Sequence, residues 1–241
     1  MKPVCSAFIL MLVLIGCDDG TGDTTEPGVL ASVEAVIEYL ADPALDGSDP
    51  NNPVPLAVKI NGADWLRLFQ AIREADKFVS LDLSKCNNAW KEFSFTAEFD
   101  YTLANAVNDR VVSLSLPKGV ESIGPSAFFH CTNLERVDLS ARLTKINHSA
   151  FSYCTSLMQI DLPASLAGIG GAAFYGCTGM EQIICRAATP PAILPLQPAV
   201  PEGSENLFYN TSPNFAIKVP ARSVAAYKAA WPTWADRIGP I

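Results

Sequence analysis

Cysteine recurs at 131, 154 and 177, each followed by threonine, at a fixed interval of 23 residues. Thiols at such an interval invite a metal or a disulfide in an exported protein. Coils stacked in register would set their Cα atoms about 4.8 Å apart, inside the disulfide range. In-register side chains run parallel, however, so the Cβ atoms would be about as far apart, beyond the usual ~3.5–4.5 Å. Nothing resembling a histidine ligand alternates with them, and they read as small buried hydrophobes, with no metal expected. The two histidines, His130 and His148, fall at different phases of the interval. Neighbouring repeats have Tyr153 and Gly176 in the phase of His130, and Pro125 and Gly171 in that of His148. A general base needs a fixed nucleophile or an orienting acid beside it, and neither phase supplies one. Asp82, Asp138 and Asp161 share a column, but Ser115 and Ile184 interrupt it. A solvated polar face suits that column better than calcium does. No G-x-S-x-G, H-E-x-x-H or phosphate-binding glycine loop occurs. The sequence points away from an enzyme and requires no cofactor.

The elements that position these residues repeat with the same interval. Ala127-Phe128, Ala150-Phe151 and Ala173-Phe174 coincide, as do Leu134, Leu157 and Met180, then Val137, Ile160 and Ile183, and also Ile123, Ile146 and Ile169. Apolar residues locked in phase at such a period mark a solenoid, whose repeats bury their faces only against each other. Phe78 to Leu83, with Cys86 beyond, fits L-x-x-L-x-L-x-x-C, and strands are expected at 78–83, 111–116, 134–139, 157–162 and 180–185. The second of these comes late, so 90–108, with Phe93, Phe95, Phe99 and Tyr101, is read as a loop bulging from one face. A Pro-rich insertion at 189–206 precedes a last coil with Leu207-Phe208 in the Ala-Phe position and a strand over Phe215, Ile217 and Val219. A short helix over Val224, Tyr227, Ala230 and Trp231 follows, with Trp234 and Ile238 covering the open end.

Ahead of the repeats, Met1 to Gly16 carries one basic residue and the apolar run Val4 to Ile15, too short to span a bilayer but suited to an export signal. Leu14-Ile15-Gly16-Cys17 resembles the lipobox of bacterial lipoproteins. That resemblance implies that Cys17 becomes the first residue of the mature chain and carries lipid, the anchor strengthening with each acyl chain. Residues 17–28 read as a flexible acidic tether. Val29, Val33, Val36, Ile37 and Leu40 fall on one helical face, Leu56, Val58 and Ile60 alternate as in a strand, and Asp64 is placed to cap a second helix with the stripe Trp65, Leu68, Phe69 and Ile72. Residues 29–76 are thus expected to form a helix-strand-helix cap, 77–219 the repeats (regular over 111–185), and 220–241 a C-terminal cap.

The unit Leu-x-x-Val-x-Leu-(x)-Ile-x-x-x-Ala-Phe-x-x-Cys-Thr resembles the BspA-like, Treponema pallidum type of leucine-rich repeat. The tail from Thr189-Pro190-Pro191 through Ile217-Lys218-Val219-Pro220-Ala221 to Trp234-Ala235-Asp236-Arg237-Ile238 is similar to the closing segment of that family. The resemblance implies an α/β repeat fold, a short right-handed solenoid of about six coils, with an αβα N-terminal cap and a helical C-terminal cap. It also implies a cell-surface or secreted protein, with an adhesin-like role toward host matrix or other bacterial cells. The alternative is a periplasm-facing structural lipoprotein that scaffolds an envelope partner.

Outward positions of the strands supply the candidate partner surface: Ser113, Ser115, Arg136, Asp138, Met158, Gln159, Asp161 and Gln182. This bare face projects only about 300 Å² at sheet spacings. A standard interface takes about 800 Å² from each partner. Any partner must also touch the 87–108 loop or the 189–206 insertion, and a merely solvated sheet face is an equal reading. Charge narrows the partner further. Residues 18–110 hold 7 basic and 17 acidic residues, whereas 111–241 hold 9 and 8. With no basic stripe, nucleic acid is not expected, and the membrane is met through the lipid on Cys17, the resemblance implying an outer-membrane or cell-surface location. The chain is expected to be a monomer.

Overall fold

The computed structural model describes residues 28–60, 64–86, 91–93, 109–195 and 207–241. Cys17, the tether up to residue 27, and most of the 87–108 and 189–206 segments lie outside them.

The chain starts with a strand. β1 (Val29–Leu30) leads into α1 (Val33–Leu40), whose first turn is closed by the Ser32 hydroxyl accepting from the Ala35 amide at 3.1 Å. Val33, Val36 and Leu40 are buried beneath it. β2 (Val54–Val58) and α2 (Trp65–Glu74) follow, with Leu68, Phe69 and Ile72 buried. Three details differ from the periodicity. Val29 belongs to a strand rather than to the first helix, because it pairs with Ala57. Ile37 is 50% exposed, since the packed face of so short a helix is set by its neighbours and not by its full apolar stripe. Asp64 makes no capping hydrogen bond through its side chain. The N-terminal order is therefore strand, helix, strand, helix, and both strands enter the main sheet.

That sheet is all parallel, in the order β1, β2, β3 (Val79–Asp82), β5 (Val111–Ser115), β7 (Arg136–Asp138). A second parallel ladder carries on with β9 (Gln159–Leu162), β11 (Gln182–Cys185), β13 (Ala216–Val219) and β14 (Ile238–Pro240). Register holds the inner residues in line: Leu114 faces Val137, and Ile160, Ile183, Ile217 and Ile238 form one row. Ile238 thus extends the sheet as a strand residue. Strand pairing begins two residues later than the pattern suggests in β7, β9 and β11, so Leu134, Leu157 and Met180 are buried ahead of the strands.

A second parallel sheet lines another side: β4 (Glu92–Phe93), β6 (Ser122–Ile123), β8 (Lys145–Ile146), β10 (Gly168–Gly170) and β12 (Ala192–Leu194). These short strands carry the Ile123, Ile146 and Ile169 column inward. Two regions, one read as a loop and one as a Pro-rich insertion, contribute to it. Phe93 pairs with Ile123 and is buried, because the chain leaving β3 completes a coil there. Ala192 to Leu194, within the Pro-rich insertion, pairs with β10. The third side is a series of turns joined coil to coil by backbone bonds, such as the Phe128 amide to the Ala150 carbonyl and the Phe151 amide to the Ala173 carbonyl, both 2.8 Å.

One apolar core fills the space between the sides, from Val33 to Ile238. Its axis is a stack of rings: Phe93, Phe128, Phe151, Phe174 and Phe208, with centroids 5.0–5.7 Å apart. At the C-terminal end α3 (Val224–Ala230) is clamped onto the chain after β11. The Tyr227 hydroxyl donates to the Ala187 carbonyl at 2.9 Å, and the Trp231 indole to that of Pro191 at 3.3 Å.

Candidate functional site

The strand face brings the candidate residues together in two rows that run across the coils. Ser80, Ser113 and Arg136 are neighbours in register, and Gln159, Gln182 and Ala216 continue on the second ladder. Beside them Asp82, Ser115 and Asp138 align, then Asp161, Ile184 and Lys218. Arg136, Asp138, Met158 and Gln159 are exposed, Met158 by 49%, and Ser113, Ser115, Asp161 and Gln182 are half-buried. Val79 and Val112 are buried, and a register shift after Val79 places one extra residue in β5.

Four charged side chains on this side are paired with each other. Arg136 donates to Asp138 through Nε at 3.0 Å and Nη2 at 2.9 Å, and the Ser115 hydroxyl reaches the same carboxylate at 3.1 Å. Arg186 grips Asp161 with both arms of its guanidinium, at 2.7 and 2.6 Å, while Ser80 and Ser113 share a hydroxyl hydrogen bond. The forked Arg–carboxylate geometry fixes orientation more than it adds stability at an exposed position. What results is a flat, polar surface with its arginines internally satisfied. It can present side chains to a partner, but it holds no polarised nucleophile.

The thiols lie beneath. Cys86, Cys131, Cys154, Cys177 and Cys185 are free and buried. Three of them donate to carbonyls of an earlier coil: Cys86 to Val58 at 3.1 Å, Cys154 to Phe128 at 3.1 Å and Cys177 to Phe151 at 3.0 Å. The column was legible as buried thiols, but its donor role was not, since the interval does not show which carbonyls come within reach. Burial pushes the Cys86 thiol up to about 11 and Cys185 to about 12, and raises Cys154 and Cys177 well above the ordinary range. Such thiols stay protonated and unreactive at neutral pH. No group of histidine, cysteine and carboxylate residues able to hold a metal occurs among the described residues.

His130 and His148 are separated in role. The His148 carbonyl accepts from the Ser126 amide, and its imidazole titrates below the ordinary value, through burial first and Lys145 second. His130 sits on the turn side in a left-handed conformation (φ 59°), stacked on Tyr153 with centroids 4.5 Å apart. The same backbone conformation recurs one coil on at Tyr153 (φ 61°) and at Gly176 (φ 70°). Gly176 is needed twice over, because its φ is positive and a Cβ there would lie 2.8 Å from the Tyr153 ring. Neither histidine has a nucleophile aligned with it in this arrangement.

Residues 103–189 match the BspA type leucine rich repeat region, in 6 copies. The repeats belong to the BspA-type leucine-rich-repeat family. Three solved structures are similar to this chain. A leucine rich cell surface protein from Faecalibacterium prausnitzii A2-165 shares 24% identity over 53% of this chain and 32% of its own, with a TM-score of 0.36. The T. pallidum leucine rich repeat protein shares 25% over 58% and 73%, with a TM-score of 0.38. A leucine-rich repeat protein from Bacteroides ovatus ATCC 8483 shares 20% over 69% and 46%, with a TM-score of 0.34. The chain spans about a third (32%) of the first of these proteins. No curated protein matches it. Leucine-rich-repeat proteins are in general protein-interaction modules and typically non-enzymatic scaffolds. No helix among the described residues is long and apolar enough to cross a membrane.

Proposed function

We propose that this BspA-type repeat protein is a lipid-anchored surface module that binds a protein partner, in an adhesin-like role toward host matrix proteins or other cells. The observation that carries the reading is the strand face. Its parallel rows hold Arg136, Gln159, Asp161 and the exposed Met158 on a rigid sheet, and side chains fixed by a scaffold lose little freedom when a partner arrives. The lipobox-like Leu14-Ile15-Gly16-Cys17 supports the anchor at Cys17 and export ahead of it. Residues 29–76 and 220–241 serve as the two end covers of the solenoid, where stacked repeats would otherwise leave apolar surface open.

Location is tested by protease treatment of intact cells beside a periplasmic control protein. Cleavage of this chain with the control intact supports the surface reading. Protection until the envelope is opened overturns it in favour of a scaffold for a periplasmic partner. The face itself is tested by replacing Arg136, Gln159 and Asp161 together with alanine. Binding to immobilised matrix proteins is expected to disappear with the melting temperature unchanged, and retained binding removes this face from the mechanism.

A further inference from the structure

The strand face is not uniform in what it leaves for a partner. Arg136 is taken by Asp138 and Arg186 by Asp161, Ser115 also bonds Asp138, Ser80 bonds Ser113, and Asp82 accepts from the Ser84 amide at 2.8 Å. Glu135, Gln159, Glu181 and Gln182, by contrast, have no side-chain hydrogen bond or ion pair among the described residues. They sit on three successive coils, together with the exposed Met158.

Three of these residues form a rim. Glu135, Met158 and Glu181 occupy one position of the 23-residue interval, and the Met158 carbonyl accepts from the Glu181 amide at 2.7 Å, which fixes those two coils side by side. Leu157 and Ile160 are buried, while Met158 and Gln159 between them are both exposed. Two exposed residues in succession break strand alternation, so the rim is the corner where the chain enters the sheet. Glu135 and Glu181 are exposed on either side of Met158. The result is a thioether between two carboxylates, with the amides of Gln159 and Gln182 paired in register beside it.

Charge decides what such a rim receives. The turn side adjoining it supplies no cation, because 122–134, 146–160 and 168–180 contain no Asp, Glu, Lys or Arg. Its outward places are held by a row of rings, Phe129, His130, Tyr153, Tyr175 and Tyr209, with adjacent centroids 4.5–5.7 Å apart. On the strand side both arginines are turned to Asp138 and Asp161. Lys218, the other cation of the two outward rows, pairs in register with Ile184, three residues or about 10 Å along the strand from the level of Glu181. The two glutamates therefore carry negative charge that nothing beside them offsets. A lysine or arginine side chain satisfies the whole arrangement: its methylenes lie on apolar surface while its charged end stays at the carboxylates, and amide oxygens accept its remaining N–H groups. A thioether suits such a contact, being flexible and polarisable. We propose that the rim of Glu135, Met158 and Glu181 receives a basic segment of the protein partner, its lysine or arginine stems covering Met158 and their charged ends meeting the two carboxylates. This rests on the strand face being the binding side and names the chemistry of what it binds.

The experiment is a calorimetric titration of the folded chain with octalysine at low and at physiological salt, with octaglutamate and a Gly-Ser peptide as comparisons. Saturable binding of octalysine alone is expected, weaker at the higher salt, where exposed charges are screened beyond about 8 Å. Glu135→Gln combined with Glu181→Gln is expected to weaken it about tenfold at low salt, the combined effect of two exposed ion pairs. Met158→Ala is expected to weaken it severalfold at both salts, because its contact is not screened. Glu38→Gln combined with Glu74→Gln removes the same charge from exposed places in the N-terminal cap and is expected to leave binding nearly unchanged. Absence of octalysine binding, unchanged affinity in the rim pair, or an equal loss in the two double variants, which would reduce the effect to net charge, would each overturn the proposal. Octalysine binding that the rim pair weakens, in a protein protected on intact cells, supports this inference while removing the adhesin-like role. Matrix binding lost in the triple variant of the strand face, with no octalysine binding, removes this inference and keeps that role.

Discussion

On the strand face Asp138 is held by Arg136 two residues away and Asp161 by Arg186 of the next coil, whereas the turn side between 122 and 180 places uncharged aromatics at the same outward positions. The difference lies in what supports each side. Strand pairing fixes the strand face through the backbone, so its outward side chains are not needed for its register, and its ion pairs are exposed. The turns are also joined coil to coil by backbone bonds, such as Ser126 to His148, Phe128 to Ala150 and His130 to Ser152, but without the extended strand conformation. They depend on left-handed residues at fixed places (Ser126, His130, Ser149, Tyr153, Ala172, Gly176) and on the phenylalanine stack beneath them. Outward side chains on the strand face can therefore be exchanged without touching the fold, while changes on the turn side reach the core.

The largest break of that comparison is Phe151→Ala. The ring is fully buried between Phe128 at 5.0 Å and Phe174 at 5.6 Å. Its removal is expected to lower stability by about 3–5 kcal/mol, the usual range for emptying a buried aromatic site. Urea denaturation with a reduced midpoint and an unchanged slope would confirm a loss confined to the folded state. The triple substitution on the strand face sets the opposite limit, with no shift.

Gly176→Ala comes next. It forces a side chain onto a residue with φ of 70° and sets a Cβ against the Tyr153 ring. The expected loss is about 1–3 kcal/mol, the range for a strained backbone position. Adding Tyr153→Ala should recover part of it, and a double-mutant cycle by denaturation separates the clash from the backbone strain.

The smallest effect concerns the thiols that lie under both sides. Burial raises Cys86 to about 11 and Cys185 to about 12, above the ordinary 9.0. A raised value means that the folded chain holds these protons more tightly than the unfolded chain does. The stability this contributes is fully present below pH 9.0 and is lost as pH rises through about 11 and 12. Melting curves across that window should fall more steeply for the parent than for Cys185→Ala. Parallel curves would show that the thiols do not carry the alkaline loss.

Several features of the site were legible in advance for identifiable reasons. Arg136, Gln159 and Gln182 point outward as expected, because alternation along a strand is a local property of the backbone. That Asp161 is gripped by Arg186, or that Phe129 to Tyr209 make one row, depends on which coils adjoin and where each ring leans. Phe93 shows the limit most plainly. Its neighbours in sequence suggest a loop, and only its pairing with Ile123 across the second sheet places it in the core.

By itself the sequence determined the 23-residue interval, the parallel solenoid it builds, and the inner columns from Leu114 to Ile183 and from Phe128 to Phe174. Those follow from periodicity, which every coil repeats and every residue shares with its equivalents. Tertiary structure alone decided that Val29 and Ile238 are strand residues, that Ile37 faces outward, that the thiols donate to carbonyls of earlier coils, and that one side carries paired charges while the other is aromatic and neutral. These outcomes rest on contacts between residues distant in the chain, whose distances and angles no local pattern encodes.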